Sequence, residues 1–255
     1  MIIKADKNNI DEITSFCKKC ILGTRILCLM NCYGFGYDFF SIYLLYCNDE
    51  LKSVLSNFDG NVTLVAEENC DCSEVVQFID FIPYNSITTY KHTAEGLGIE
   101  NYNIKKAYKY TGLNNVDNFA ENAEETDYKS IYRLISRNIP DSFPEGNDAY
   151  LSWLSDFTYR KRRNRARIKC IKDNNTIISC ALTSAESTVA AIISGVACDL
   201  SSRTKGIGKK TVLSLANELK SENKDVYVIA LNSSAEGFYE HIGFEKCCVI
   251  VISER

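Results

Sequence analysis

The segment that decides the fold is Val196-Ala-Cys-Asp-Leu-Ser-Ser-Arg203-Thr-Lys-Gly206-Ile-Gly208-Lys209. The apolar run that leads into it, residues 190–197, predicts a buried β-strand. After it, residues 210–219 place their apolar side chains at helical spacing. The segment therefore lies at a corner where a strand passes into a helix.

This corner has the composition of an anion-binding site. The first turn of a helix carries unpaired N–H groups and the positive end of the helix dipole. Gly206 and Gly208 permit a positive φ angle and a close approach of the backbone to a phosphate. Arg203, Lys205 and Lys209 add positive charge at the same point. For this segment alone, an ordinary glycine turn that ends the strand remains the alternative.

The residues that follow point to a family. Residues 225–231 predict another strand, and after it come Asn232 and the segment Phe238-Tyr239-Glu-His-Ile-Gly243-Phe244. Together with the Arg203-x-x-Gly206-x-Gly208 loop, these parts resemble the GNAT superfamily of N-acetyltransferases, whose members bind acetyl-CoA at such a loop. The resemblance is tight over residues 176–246 and looser back to about residue 116.

The resemblance implies a role for each site residue. The backbone at the end of the first strand would pair with the pantetheine arm, with one N–H facing the acetyl oxygen, and the loop N–H groups would hold the pyrophosphate. Asn232 would bind the pantetheine or its water. The implied acetyl-CoA contacts are Val196, Ala197, Cys198, Arg203, Thr204, Lys205, Gly206, Ile207, Gly208, Lys209 and Asn232.

Tyr239 is the implied catalytic residue, as the acid that reprotonates the CoA thiolate. A phenol with a pKa of about 10 is a reasonable proton source for a departing thiolate. The alternative for Tyr239 is a core aromatic at the start of the Gly-Phe turn. The general base is not assigned, because residues 190–196 carry no carboxylate and Glu186 is expected to face solvent. Water held by Ser194 or by backbone carbonyls is the expected route.

Two tandem units are predicted, with a boundary near residue 115 in the polar passage 112–118. Residues 116–255 predict the order α-α-β-β-β-α-β-α, which is also the order that the GNAT resemblance implies. The fold class is therefore α/β, with a mixed, mostly antiparallel sheet flanked by helices.

Residues 1–115 predict a similar order. The pattern is a helix at 10–20, strands at 25–31, 39–47, 51–58 and 62–66, and a helix at 73–82. The loop before the last helix reads Glu67-Glu-Asn-Cys-Asp-Cys72, which lacks glycine and would repel a pyrophosphate. We expect a degenerate GNAT-like unit that does not bind CoA; an unrelated α/β extension is the alternative.

Composition favours a globular cytoplasmic protein. The chain has 255 residues, of which 45% are hydrophobic and 24% charged, and a net charge of −4. Residues 1–7 lack the basic region and the following long apolar stretch of a secretory leader, and no segment approaches about 18 uninterrupted apolar residues. We therefore expect a protein that is neither exported nor membrane-spanning. Most of its 12 cysteines lie in apolar stretches as small hydrophobes would, for example Cys28, Cys47, Cys180 and Cys198.

Metal binding and hydrolase chemistry are not favoured. Cys17-x-x-Cys20 and Cys70-x-Cys72 could supply four thiolates to zinc, but neither pair lies in a Gly- or Pro-rich knuckle and the second spacing is atypical. The two histidines, His92 and His241, are isolated, so a Ser-His or Cys-His site has little to build on. No metal is expected.

The basic run Arg160-Lys-Arg-Arg163-x-Arg165-x-Arg167-x-Lys169 allows two interpretations. Clustered arginines suit nucleic acid or an acidic substrate. The favoured alternative is that Arg160 to Arg163 end a helix and that Arg165, Arg167 and Lys169 line the solvated face of a strand. Nucleic acid is therefore not an expected partner.

Taken together, the sequence predicts an acetyl-CoA-dependent N-acetyltransferase in which the amine attacks directly within a ternary complex. The alternative is a CoA-binding sensor or interaction module without turnover. The acceptor is expected to be an amine of a small molecule or peptide, and the sequence does not identify it. No membrane partner is expected, and the choice between a monomer and a homodimer is left open.

Overall fold

A computed structural model of the chain describes residues 1–18, 20–68, 70–112 and 119–255. The chain forms two compact units. Unit 1 consists of Met1–Tyr108, Ala230–Glu236 and Lys246–Arg255, and unit 2 of Lys109–Ile229 and Gly237–Glu245. Each unit thus combines separate segments of the chain, whereas the sequence pattern predicts one boundary near residue 115. Of the predicted joint, residues 113–118 lie outside the described residues.

The order of elements repeats along the chain. The first series is β1 (Ile2–Lys4), α1 (Ile10–Cys17), α2 (Ile21–Tyr33), β2 (Phe40–Cys47), β3 (Glu50–Phe58), β4 (Asn61–Ala66), α3 (Ser73–Phe81), β5 (Ser86–Tyr90), α4 (Lys91–Gly96) and β6 (Asn103–Tyr110). The second is β7 (Glu121–Asn122), α5 (Tyr128–Asn138), α6 (Asn147–Lys161), β8 (Ile168–Asp173), β9 (Thr176–Glu186), β10 (Ala190–Cys198), α7 (Ile207–Ser221), β11 (Asp225–Ala230), α8 (Ser233–His241) and β12 (Phe244–Glu254). The same helix and strand order therefore occurs twice.

In unit 1 the strands follow the order β1-β2-β3-β4-β5-β12-β6. The pairs from β1 to β4 are antiparallel, β4 and β5 are parallel, and β12 is antiparallel to β5. Asp59 and Gly60 form the hairpin turn between β3 and β4, both with positive φ angles. Apolar residues of α3, among them Val75 and Ile79, pack on this sheet in a cluster with Leu64 and Ile87.

One predicted strand of unit 1 is wrong, because residues 25–31 lie inside the helix α2. The sequence there is apolar almost without interruption, and the helix is buried on nearly all sides, so no amphipathic period marks it. A short apolar run cannot be assigned to strand or helix by periodicity alone. The helix ends at Gly34, which has a φ of +66° and donates its N–H to the Met30 carbonyl.

In unit 2 the strands follow the order β11-β10-β9-β8-β7. All pairs whose register is established are antiparallel except β10 with β11, which is parallel. Helices cover both faces of this sheet. Two neighbouring residues of β9 show this, since successive residues of a strand point to opposite faces. Cys180 of β9 packs in a cluster with Ile135 of α5 and Phe157 of α6, whereas its neighbour Ser179 contacts Thr211 of α7. The predicted mixed α/β fold is confirmed.

Candidate functional site at the end of β10

The chain leaves β10 at Cys198 and enters α7 at Ile207. Asp199 begins a short 3-10 turn and accepts a hydrogen bond from the Ser201 N–H at 3.0 Å. Gly206 is the N-cap of α7 and has a φ of +74°, a left-handed conformation that favours glycine. Gly206 has no side chain that could cap this helix, and the backbone of Gly208 hydrogen-bonds to the Cys198 thiol. The other N–H groups of the first turn are available to an anion.

Four basic side chains surround this helix start: Arg203, Lys205, Lys209 and Lys210. None of them forms a salt bridge with a described residue. The Arg203 guanidinium donates to Asn138 Oδ1 at 2.5 Å and to the Cys198 carbonyl oxygen at 3.4 Å. It therefore ties the end of α5 to the end of β10 and keeps its positive charge beside the corner.

The edge of β10 that would face β11 is open near the corner. The parallel pairing of the two strands ends at Ile193 with Val228, but β10 continues to Cys198. A bulge at Gly195, with a φ of +54°, shifts the register with β9 at this point. Residues 196–198, which are predicted to bind pantetheine, therefore have backbone groups without a partner in β11. An extended ligand can bind to these groups as an added strand.

Tyr239 lies in α8 and is 7% exposed. Its ring packs against Phe238 and Phe244, with centroid distances of 5.3 and 5.6 Å. Burial raises the pKa of Tyr239 to about 12, so the phenol keeps its proton at neutral pH. No hydrogen bond joins its hydroxyl to the described residues. This side chain is thus both a core aromatic and a protonated donor.

Asn232 precedes α8, in a segment that groups with unit 1. Its Oδ1 atom accepts a hydrogen bond from the Ala235 N–H at 3.0 Å, so that the side chain caps this helix. This contact gives Asn232 a structural role, and its role toward a ligand stays a prediction.

Comparison with known proteins identifies this part of the chain. Residues 128–244 match the model of the acetyltransferase (GNAT) family. Residues 128–244 form a GNAT domain. This range contains the β10–α7 corner, the open edge of β10 and Tyr239. No curated protein matches the sequence.

Solved structures resemble the chain over its whole length. A GCN5-related N-acetyltransferase from Sphaerobacter thermophilus has a TM-score of 0.65 at 11% identity, covering 100% of this chain and 95% of that one. A tandem GNAT protein from the clavulanic acid biosynthesis pathway has a TM-score of 0.61 at 8% identity, covering 100% and 98%. An acetyltransferase from Colwellia psychrerythraea has a TM-score of 0.61 at 14% identity, covering 100% of both chains. The likeness concerns the fold, and it confirms the prediction of tandem GNAT-like units.

Glu186 of the GNAT domain does not face solvent, contrary to the sequence-based expectation. It is fully buried, accepts a hydrogen bond from the Thr183 hydroxyl at 2.8 Å, and pairs with Arg167 and Lys224 at 2.9 and 3.0 Å. Its strand partner is Ala191 at the start of β10, which places it roughly 20 Å from the corner by strand rise. Glu186 is therefore a structural ion-pair residue.

The basic run of the GNAT domain is also less exposed than expected. Lys169 is 3% exposed and pairs with Glu218 at 2.6 Å. Arg167 binds Glu186, Glu218 of α7 and Glu222, which directly follows α7. The hydrogen bond from Arg167 lowers the pKa of Glu222 to about 2. The prediction that Arg167 and Lys169 line a solvated face was wrong, because acidic side chains of α7 cover that face of the sheet.

The corresponding corner of unit 1 already holds carboxylates. Glu67 pairs with Lys52 at 3.0 Å, and Asp71 Oδ1 accepts a hydrogen bond from the Ser73 N–H at 2.9 Å. This bond and a second one to the Ser73 hydroxyl lower the pKa of Asp71. The start of α3 thus has an anionic partner from its own chain, in contrast to the start of α7.

Gly195 and Asn138 were not predicted to be site residues. A glycine inside a strand pattern is a signal for a bulge, so Gly195 could have been recognised. Asn138 lies 65 positions from Arg203, and no local signal connects the two.

The four cysteines that were expected to behave as small hydrophobes differ in exposure. Cys28 and Cys180 are buried, whereas Cys198 is half-buried and Cys47 is exposed.

Within the described part of the chain, no group of three or more His, Cys, Asp or Glu side chains has an arrangement suited to a metal ion. Among those same residues, no helix combines the length and the apolar character required to cross a membrane.

Proposed function

We propose that the chain is an acetyl-CoA-dependent N-acetyltransferase that transfers the acetyl group directly to an amine. The observation that carries the proposal is the start of α7, which begins at a left-handed Gly206 without a capping side chain. Around it lie basic side chains that form no salt bridge with a described residue. This arrangement suits a pyrophosphate. It fits acetyl-CoA, and in that complex the N–H groups from Thr204 to Lys209 bind the phosphates.

The open edge of β10 supplies the second part of the proposed site. The backbone of Val196, Ala197 and Cys198 binds the pantetheine arm as an added strand, and an N–H of this edge donates to the acetyl oxygen. A donor fixed in the backbone stabilises the negative charge that this oxygen gains during attack without having to reorganise.

The transfer step needs a proton acceptor and a proton donor. The amine forms the new C–N bond, the C–S bond breaks, and the electron pair leaves with the sulfur. Tyr239 supplies the proton to that sulfur, which is consistent with a phenol that stays protonated at neutral pH. The amine loses its proton to water held at Ser194 or at carbonyls of the open β10 edge.

The proposal is tested by CoA binding and turnover in the full-length chain. Lys209→Glu reverses a charge at the start of α7 and is expected to weaken CoA binding about 10-fold or more, as measured by calorimetry. Lys220→Glu makes the same change near the end of the same helix and is expected to leave the affinity within about 2-fold. Equal affinities in the two variants would contradict the proposed location of the pyrophosphate.

A CoA-binding module without turnover is the second candidate. The position of Glu186 favours it, because this buried, ion-paired carboxylate cannot act as the base at the corner. Release of CoA thiol in the presence of polyamines, aminoglycosides, amino acids and peptides distinguishes the two functions. Acetylation of any of them supports the enzyme, and CoA binding without thiol release across the panel supports the module.

A further inference from the structure

A cavity of about 370 Å³ lies between α5 and the start of α6 in unit 2. Its wall includes Tyr132, whose hydroxyl donates to the Pro144 carbonyl oxygen at 2.8 Å. This bond fastens the loop between the two helices to α5. A hydrogen bond within the protein therefore holds this part of the cavity wall in place.

The charge of the wall is predominantly positive. Lys129, Arg133 and Arg137 of α5 line the cavity at intervals of four residues, which places them on one face of the helix. None of the three forms a salt bridge with a described residue. Glu145 is the acidic residue of the described wall. Three positive charges against one negative charge favour an anion.

The cavity wall also contains a buried hydroxyl group, that of Ser136. Ser136 is 2% exposed, and its Oγ atom makes no hydrogen bond within the described structure. Leaving such a buried group without a hydrogen bond is destabilising, so it indicates a binding function. An oxygen of a ligand in the cavity would satisfy it.

The start of α6 forms another part of the wall. Gly146 is the N-cap of this 15-residue helix and has no side chain that could cap it. Gly146 and Asn147 both line the cavity. The unpaired N–H groups and the helix dipole therefore act in the same direction as the basic side chains.

The cavity lies close to the proposed transfer site. Asn138, next to Arg137, accepts the hydrogen bond from Arg203 at the β10–α7 corner. The pKa of Asp199, directly after β10, is lowered chiefly by Ser201 and further by the charge of Arg137. One end of the cavity thus lies near the end of β10.

We propose that this cavity binds a carboxylate or phosphate group of the acceptor, so that the substrate is an amine that also carries an anion. The inference rests on the proposed function, since it assigns the acceptor of the same transfer. Lys129, Arg133 and Arg137 pair with the anion, the Ser136 hydroxyl donates to it, and the start of α6 completes the contacts.

Binding can be measured without turnover, because Trp153 is the only tryptophan of the chain. Its ring centroid lies 5.2 Å from that of Tyr132 and 6.2 Å from that of Tyr150, which both line the cavity. Titration of the full-length chain with succinate or inorganic phosphate is expected to change the Trp153 fluorescence in a saturable way. Neutral succinamide is expected to give no change.

Variants connect the signal to the cavity. Arg133→Ala is expected to weaken anion binding about 10-fold or more, whereas Arg162→Ala, at the exposed end of α6, is expected to leave it unchanged. Ser136→Ala is expected to weaken binding without lowering the melting temperature, because it removes an unsatisfied polar group. An absent signal, or equal affinity in Arg133→Ala, would overturn the proposal. So would an equal loss of CoA affinity in Arg133→Ala, which would assign the cavity to the cosubstrate.

Turnover measurements distinguish a carboxylate acceptor from a phosphate acceptor. They also distinguish a failure of this inference from a failure of the proposed function. The value of kcat/KM is compared between β-alanine and β-alaninamide, and between O-phosphoethanolamine and ethanolamine. The anionic member of one pair is expected to be preferred at least 10-fold, and Arg133→Ala to remove that preference. Preference for the neutral amines would refute this inference and leave the acetyltransferase intact. Anion binding without acetylation of any amine would refute the proposed function and the acceptor assignment together.

Discussion

The Thr211 hydroxyl donates to Ser179 Oγ at 2.8 Å, and Ser179 Oγ donates in turn to the carbonyl oxygen of Ala197 at 3.1 Å. Both side chains are fully buried. Through these two bonds, α7 is fixed to the end of β10 one turn after the open N–H groups. The side chains of Ser179 and Thr211 thus fix the position of the proposed pyrophosphate site relative to the proposed pantetheine site.

Ser179→Ala is expected to lower the free energy of unfolding by about 1 to 2 kcal/mol, because the Ala197 carbonyl loses its buried donor. Thr211 keeps its alternative bond to the Ile207 carbonyl, at 3.0 Å. Thr211→Val removes the other end of the chain of bonds. Urea unfolding of both single variants and the double variant gives their coupling, and strictly additive changes would contradict a shared network.

Gly206→Ala is expected to destabilise the chain by about 1 kcal/mol, because alanine disfavours the left-handed conformation that Gly206 adopts. Space is not the reason, since an added Cβ meets no atom within 4 Å. Gly237→Ala is the matched control. It lies inside α8 with no atom within 4 Å of an added Cβ, so helix propensity predicts a gain of up to about 1 kcal/mol. Changes of the same sign in both variants would contradict this explanation.

How much of the structure can be predicted from the sequence depends on whether a feature is determined by neighbouring residues or by residues distant in the chain. The β10–α7 corner was predictable because its strand, glycines and helix are all local features, and the same holds for Tyr239 in its motif. The helix α2 was not, since its apolar side chains leave no polar face to mark a period. Lys169 is buried against Glu218 of α7, and Glu186 against Arg167 and Lys224. These partners become neighbours only after folding.

The cavity beside α5 illustrates both cases. The spacing of Lys129, Arg133 and Arg137 is visible in the sequence and places the three on one helical face. What the sequence does not provide is the packing of the α5–α6 loop against Tyr132, which turns that face into the wall of a cavity.

Glu186→Gln is expected to lower the free energy of unfolding by about 3 kcal/mol. The substitution keeps the shape but leaves Lys224 and Arg167 with less negative charge in a buried site. In the folded protein, the rate of acetyl transfer is expected to stay within about 2-fold, since Glu186 lies far from the β10–α7 corner. A fall in kcat of about 100-fold or more at full folding would identify Glu186 as the base and contradict its structural role.

Tyr239→Phe is expected to lower kcat for acetyl transfer about 100-fold with little change in KM for acetyl-CoA, since it removes the proton donor and keeps the ring. Tyr110→Phe is the control, because Tyr110 also packs on Phe244, at 5.0 Å, and its hydroxyl donates to Asn217. Tyr110→Phe is expected to lose stability but not rate per folded molecule. Full activity in Tyr239→Phe would remove it from the mechanism.

The pKa of Tyr239 also predicts a pH dependence of stability. Burial raises this pKa to about 12, compared with about 10 in the unfolded chain. Below pH 10 the phenol is protonated in both states, and between pH 10 and 12 it ionises first in the unfolded chain. The contribution of Tyr239 is therefore lost as the pH rises through this window, by up to about 3 kcal/mol. Urea unfolding at pH 8 and pH 11 should show a smaller loss in Tyr239→Phe than in the original chain.

The contrast between the two strand-to-helix corners predicts one CoA per chain. At the start of α3 the Asp71 carboxylate already accepts the Ser73 N–H, and Glu67 adds a second negative charge nearby, so a pyrophosphate would be repelled. Calorimetric titration with CoA is expected to give a stoichiometry of one. Asp71→Asn is expected to leave affinity and stoichiometry unchanged, whereas Lys209→Glu weakens the single site. A stoichiometry of two that Asp71→Asn alters would show that the corner of unit 1 binds CoA as well.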